Sequence, residues 1–235
     1  MSGAQQGGVA PQGAAWFVTG TDTGVGKTRA SSALLHALAR RGLRCVGMKP
    51  VAAGAERDEH GVWQNEDVLA LRAAGNLAVS PELDNPYLLR APVSPHIAAE
   101  REGVRIDVPT LVQRFNGLRA LSDAVIVEGA GGFCVPLDDA VTGADLAQAL
   151  ALPVILVVGL RLGCLNHALL TQEAIASRGL RLAGWIANRV DPQMREPQAN
   201  LDFLRRRLQA PLLADWPWQP GVSPADLPIQ LPQDA

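Results

Sequence analysis

The sequence predicts a doubly wound α/β fold, a mainly parallel β-sheet flanked by helices and built as a single domain. Three observations carry this. Short apolar runs alternate with longer amphipathic ones from Ala15 onward, the order expected when helices cross over between parallel strands. The apolar runs are continuous rather than alternating, as in strands covered on both faces. The first of them passes through a glycine-rich turn straight into a helical stretch. With 235 residues, 48% of them hydrophobic, the chain is long enough to bury one substantial core, and it contains no internal repeat.

The elements follow in order. Residues 1–14, MSGAQQGGVAPQGA, are rich in Gly, Gln and Ala and read as a flexible tail, without the basic start and apolar run of a signal peptide. The domain then spans 15–235. Its first strand, AAWFVT, enters the glycine-rich turn, and a helix runs from about Lys27 to Arg41, with Gly42 as the C-terminal glycine. A second strand, RCVGMKPV, leads to a polar loop. There Asn65, Glu66 and Asp67 form the capped, acidic first turn of a helix, DVLALRAAG. Pro81 to Pro95 is proline-rich and reads as irregular. A helix after Asp107, the strand DAVIVEG, a GAGG turn, the helix ADLAQALA and the strand PVILVVG follow. After CLNHALLTQEAIASRG come the strand LAGWIANRV, a helix around NLDFLRRRL and the short apolar segment PLLADWPW. Residues 219–235 are rich in Pro and Gln without a pattern, and read as either a poorly ordered tail or a loop folding over a ligand.

Composition excludes several classes of function. A formal charge of -2 with 19% charged residues supplies no basic field for nucleic acid and no polybasic segment for a membrane surface. The longest apolar run, Ala149 to Leu160, is broken by Pro153 and falls short of the roughly 20 residues that cross a bilayer. Cys45, Cys134 and Cys164 are odd in number and form no CxxC pair, against a disulfide framework or a zinc site, so a cytoplasmic location fits. Small molecules and other protein chains remain as partners.

The strongest chemical signal is GTDTGVGKT, Gly20 to Thr28, between a strand and a helix. Its glycines let backbone N–H groups converge on phosphate oxygens at a helix N-terminus; Lys27 can reach β- and γ-phosphates, and the Thr28 hydroxyl can bind Mg²⁺. Thr21 stands where this motif usually has its first glycine, but the GKT ending is intact. Glu128 ends an apolar strand directly before glycines, so its carboxylate would emerge beside the phosphate loop and could hold Mg²⁺; the bland alternative is a solvated strand-end charge. Asp67 is either a second carboxylate near that ion or a helix-start charge. Lys49, at the end of the second strand before Pro50, either faces anionic groups in the crevice or snorkels into solvent.

At this point eight ordered blocks, GTDTGVGKT, GMKPVAAG, NEDVLAL, NPYLLRAPVSPH, VIVEGAGG, PVILVVGLRLGCLNHALLT, LAGWIANRV and PLLADWPW, resemble the dethiobiotin synthetase family over Trp16 to about Trp218. The resemblance implies a P-loop NTPase fold, a homodimer, and ATP-dependent closure of 7,8-diaminopelargonate with CO2 to dethiobiotin. It implies that Lys27 and Lys49 stabilise carbamate and phosphoryl oxygens, and that Thr28, Asp67 and Glu128 surround Mg²⁺. Thr23, Gly24, Val25, Gly26, Lys27 and Thr28, with Glu128, Gly129, Ala130 and Gly131, would touch the triphosphate. Asn188, Arg189, Pro217 and Trp218 would form the adenine pocket. The helix opening in GCLNH, with Cys164 and Asn166, would bind the substrate carboxylate from the partner subunit. Ala53 stands where the resemblance implies a substrate-contacting serine or threonine, and Asn200 near a position where it implies a tyrosine.

Three other readings compete. The septum-positioning and partitioning ATPases share the fold, but their signature lysine is replaced here by Asp22. Amidoligases of cobyrinate synthesis carry a glutaminase domain for which this chain has no room. A regulatory module that has lost turnover would be expected to lose some of Lys27, Thr28, Lys49, Asp67 and Glu128.

Overall fold

The computed structural model describes residues 13–233; positions 1–12 of the expected N-terminal tail lie outside the described residues. In chain order the elements are β1 (Ala14–Gly20), α1 (Lys27–Arg40), β2 (Cys45–Met48), β3 (Val51–Ala53), β4 (Glu56–Arg57), β5 (Trp63–Gln64), α2 (Glu66–Ala74), α3 (Pro81–Asp84) and β6 (Tyr87–Leu89). They continue with α4 (Pro95–Glu102), α5 (Val108–Leu121), β7 (Ala124–Glu128), α6 (Gly143–Leu150), β8 (Val154–Leu160), α7 (Cys164–Ser177), β9 (Leu182–Arg189), α8 (Pro197–Arg207) and β10 (Leu212–Trp216).

Six strands form one sheet in the order β10-β9-β8-β1-β7-β2, and every pairing in it is parallel. The continuous apolar runs resolve into alternation between two faces. Phe17, Val125 and Val127 point into the core beneath α5 and α6, whereas Trp16, Val18, Ala124 and Ile126 point into the core beneath α1. A third cluster, under α7 and α8, is built on Leu156, Val158 and Trp185. Helix α1 packs Ala30, Ala33, Leu34, Leu35 and Leu38 into the core and is buried all round its middle turn, where Ser31 and Ser32 are covered as well. It stops as Gly42 enters the left-handed region at φ 80, which a glycine adopts without a Cβ penalty. Strand β1 lies between β7 and β8, so the order of the sheet reverses beside it. The crevice at its carboxyl end is where such sheets hold ligands.

The sequence reading needs correction in two places. The expected second strand breaks at Lys49–Pro50: β2 ends at Met48, and β3 leaves the main sheet to pair in parallel with β6. Pro50 has no N–H to extend the ladder. The stretch from Pro81 to Pro95, expected to be irregular, contains α3 and β6 and opens α4. Beyond Trp218, a 3-10 turn at Pro224–Asp226 brings Leu227 into the core of the α1 face. Gln230 N–H donates to Leu213 O (2.9 Å) and the Trp216 indole to Pro228 O (2.8 Å), which fasten this segment along β10.

Candidate active site

The loop between β1 and α1 turns on two glycines in the left-handed region, Gly24 (φ 73) and Gly26 (φ 92). Lys27, the first residue of α1, is buried, and its ammonium donates to Asp22 O at 3.1 Å. Burial, reinforced by the charge of Lys49 and only partly offset by Glu128, Asp67 and Asp22, brings its pKa down to about 8. Asp22 itself is tied down: its carboxylate accepts from Thr23 N–H (2.7 Å) and pairs with Arg161.

Three elements bring their ends to this loop. From the end of β2, the ammonium of Lys49 donates to Glu128 Oε1 (2.5 Å) and Asp67 Oδ2 (2.8 Å). Lys49 is 4% exposed and Glu128 fully buried, so each charge depends on the other to offset its desolvation. Burial alone would lower the Lys49 pKa; Glu128 and Asp67 together outweigh it and raise the pKa. Asp67 sits in the first turn of α2, whose N-cap, Asn65, accepts from Asp67 N–H (3.1 Å) and Val68 N–H (3.3 Å). Burial would push the Asp67 carboxyl up, but Lys49 and the Thr28 hydroxyl hold it below its ordinary value.

The Thr28 hydroxyl lies 2.6 Å from Asp67 Oδ1 and 2.9 Å from Glu128 Oε1. A single hydroxyl proton can satisfy only one of these oxygens at a time. Glu128 Oε2 is buried without a hydrogen-bond partner. A hydroxyl and two carboxylates within bonding reach of one another, with a spare carboxylate oxygen, make an oxygen donor set that fits Mg²⁺. That ion usually takes one or two carboxylates and completes its shell with water and substrate phosphates. Among the described residues no group of three His, Cys, Asp or Glu side chains is placed to hold a metal ion.

Thr28, Lys49 and Asp67 face a cleft of about 740 Å³; Glu128, fully buried, does not line it and meets it through its contacts with Thr28 and Lys49. Of the residues expected from sequence, Thr23, Gly24, Gly26, Lys27, Thr28, Lys49, Ala53, Asp67, Ala130 and Gly131 line it. Others are placed differently. The Val25 side chain is a fully buried plug under the loop, so only its backbone is available there. Gly129 N–H is engaged by Val18 O (2.9 Å) and cannot serve a phosphate. Asn188 reaches the loop from the far side, its amide donating to Val25 O (2.9 Å) while Oδ1 stays buried and unpartnered. Arg189 donates to Asp215 Oδ2 (3.2 Å), and beyond β10 Pro217 and Trp218 are exposed. Asn166 is exposed near the start of α7. Cys164 is 2% exposed, its N–H donates to Arg161 O (3.0 Å) and burial pushes its thiol pKa up, so neither of its polar groups is offered to a ligand.

The sequence reading missed Ser94, which lines the cleft from the N-cap position of α4 and lies 3.0 Å from His96 Nδ1. The Ser-Pro pair before a helical run was the available signal. It also missed Arg161, whose pairing with Asp22 joins positions 139 residues apart.

A family model described as an AAA domain matches residues 14–226. The ATP-dependent dethiobiotin synthetase BioD of Aromatoleum aromaticum is 58% identical over 219 residues, covering 92% of this chain and 96% of the relative. That of Xanthomonas axonopodis pv. citri is 52% identical over 221 residues, 93% of this chain and 98% of the relative. Among solved structures, the cell division ATPase MinD of Pyrococcus furiosus superposes with a TM-score of 0.58 at 20% identity, covering 91% of this chain and 90% of the other. The septum site-determining protein MinD of Pyrococcus horikoshii, complexed with Mg-ADP, gives 0.57 at 18% identity over 88% and 82%. At that identity the two structures report the fold alone.

Proposed function

Because the chain belongs to the ATP-dependent dethiobiotin synthetase family, we propose that Lys27, Lys49, Thr28, Asp67 and Glu128 are the working groups of that ligation in this protein. It is an enzyme of biotin biosynthesis that consumes ATP to make dethiobiotin. The substrates are 7,8-diaminopelargonate, CO2 and ATP. One amine captures CO2 as a carbamate, a carbamate oxygen attacks the γ-phosphate, and the second amine closes the ring on the mixed anhydride and expels phosphate. ADP and phosphate leave.

Negative charge moves among carbamate, phosphoryl and leaving ADP oxygens in these steps, so fixed cations carry most of the work. Lys49 is held rigidly by two carboxylates beside the loop, which supports its role as the cation facing the carbamate and the transferred phosphoryl group. Lys27 meets the β- and γ-oxygens with the two N–H donors that its bond to Asp22 O leaves free. Thr28, Asp67 and Glu128 hold Mg²⁺, which neutralises phosphate charge when bound. The single observation carrying this reading is the junction of Lys49 with Asp67 and Glu128 at the mouth of the phosphate loop.

The adenine lies against Asn188, whose unpartnered Oδ1 suits an exocyclic amine, with Arg189, Pro217 and Trp218 nearby. The diamine passes Ala53 and Ser94. Its carboxylate meets the start of α7 near Asn166 from a second copy, a reading supported by the exposure of Leu162 (94%) in the turn before α7 and Leu170 (55%) on it, apolar side chains that a homodimer contact would cover. We place the enzyme in the cytoplasm, which suits its three free cysteines.

The test is ADP release with ATP, Mg²⁺ and bicarbonate, with and without 7,8-diaminopelargonate, alongside Lys49→Ala. ADP forming only with the diamine, in step with dethiobiotin, and nearly abolished by Lys49→Ala is the expected result. ATP turnover indifferent to the diamine refutes the substrate assignment, and full activity in Lys49→Ala refutes the role of the lysine.

A further inference from the structure

We infer that Asn85, braced by the Arg72–Asp84 ion pair, is a positioning residue that fixes the backbone of Lys49. The inference rests on the reading of Lys49 given above and extends it to a segment that otherwise has no role. Strand β2 is the edge of the main sheet and its pairing with β7 ends at Met48, so the ladder does not hold the next residue. Pro50 follows and has no N–H to contribute. Nothing intrinsic to the strand therefore sets the direction in which Lys49 leaves it.

The connection between α3 and β6 supplies what is missing. Lys49 N–H donates to Asp84 O at 2.7 Å, and the Asn85 side-chain amide donates to Lys49 O at 2.7 Å. One residue is thus gripped at both of its backbone polar groups by two consecutive residues. The same amide lies 3.3 Å from Tyr87 O, and Tyr87 N–H donates to Pro50 O at 3.2 Å, which carries the grip into the β3–β6 pairing. Asn85 and Asp84 are both buried, so water does not readily replace these bonds.

The clamp is braced from α2. Arg72 makes a two-pronged contact with the Asp84 carboxylate, Nε to Oδ2 at 2.6 Å and Nη2 to Oδ1 at 2.7 Å. Helix α2 also presents Asp67 to the Lys49 ammonium. One helix therefore sets both ends of the lysine: its first turn holds the ammonium, and its later turn anchors the segment that holds the backbone. Displacing an active-site group by about 1 Å can cost on the order of a hundredfold in rate, so loss of this grip reads out in turnover more than in affinity for ATP.

The experiment compares Asn85→Asp, Asn85→Ala and Lys49→Ala, with steady-state kinetics in ATP and in the diamine and thermal unfolding of each. Asn85→Asp keeps the shape but sets a carboxylate against the Lys49 carbonyl in place of a donor. The expected result is a fall in kcat of at least about tenfold per folded enzyme, with KM for ATP changed less than about twofold because the phosphate loop is untouched. If Asn85→Asp does not fold, Asn85→Ala carries the test. A kcat within about twofold of the parent, or a fall explained entirely by the unfolded fraction, overturns the inference. Lys49→Ala separates the two readings: if it loses turnover while both Asn85 variants keep theirs, only the positioning role fails. If Lys49→Ala keeps turnover, the assignment of the lysine itself fails.

Discussion

Replacing Gly26 by alanine tests the phosphate loop more sharply than removing any charge. Gly26 has φ 92, and a Cβ built on it would lie 2.4 Å from Asn188 Nδ2. Gly24 has φ 73 but nothing within 4 Å of such a Cβ, so it is an internal control. Both alanines meet the cost of a left-handed backbone, roughly 1–2 kcal/mol, offset in part by the smaller entropy of the unfolded chain. Only Gly26→Ala must also expel the Asn188 amide, breaking its bond to Val25 O between buried groups, which adds about 1–3 kcal/mol. Gly24→Ala is therefore expected to cost about 1 kcal/mol and Gly26→Ala about 2–4, a further fall in melting temperature of several degrees for a chain of this size. Calorimetric unfolding without nucleotide measures both. In an Asn188→Ala background the clash disappears, and Gly26→Ala should cost no more than Gly24→Ala, a coupling of about 1 kcal/mol or more. Equal losses for the two glycines in the parent, or additivity with Asn188→Ala, would refute the contact.

Two further outcomes follow from the charges. The folded pKa of Lys27, about 8, lies below the 10.5 of a free lysine, so between those values the unfolded chain holds the extra proton. The penalty of a buried charge is full below pH 8 and is relieved as pH rises toward 10.5, by roughly 3 kcal/mol; thermal unfolding from pH 7 to 10 should show this rise, and Lys27→Met should flatten it. Glu128→Gln keeps the shape of the side chain but removes the charge shared by Lys49 and the oxygen donor set. Mg²⁺ titrations of activity should then need roughly tenfold more metal or higher, and an unchanged Mg²⁺ requirement would remove Glu128 from the ligand set.

What could be read from the chain beforehand was whatever is local in sequence. The phosphate loop, the C-terminal glycine of α1 and the Asn65 cap are each written within a few neighbouring residues, and the structure places all three as read. Lys49, Asp67 and Glu128 could be placed one by one at element ends, but not in contact, because their meeting depends on three chain crossings. The break at Lys49–Pro50 and the β3–β6 pair escaped because a three-residue strand has no period to detect. The placement of Gly129 escaped for another reason. Its N–H could serve β1 or a ligand equally well until the register Val18↔Glu128 decided the matter.

The donor count explains how the site can be ready before any ligand arrives. An ammonium has three N–H donors. Glu128 and Asp67 take two of those on Lys49, which leaves one, and its direction is fixed by the other two. Lys27 has given one to Asp22 O and keeps two for phosphate oxygens. Two lysines against two carboxylates leave the centre close to neutral, so the buried charges are compensated within the protein and no ligand is needed to hold the geometry. Stabilisation of the moving charge then comes from donors that need not reorient during the reaction, which is where a preorganised site gains over water. It also follows that the carboxylates cannot be removed singly without freeing a lysine to turn. Asp67→Asn should therefore disturb the aim of Lys49 as well as the oxygen donor set, and a loss of turnover larger than its loss of Mg²⁺ affinity would distinguish the two effects.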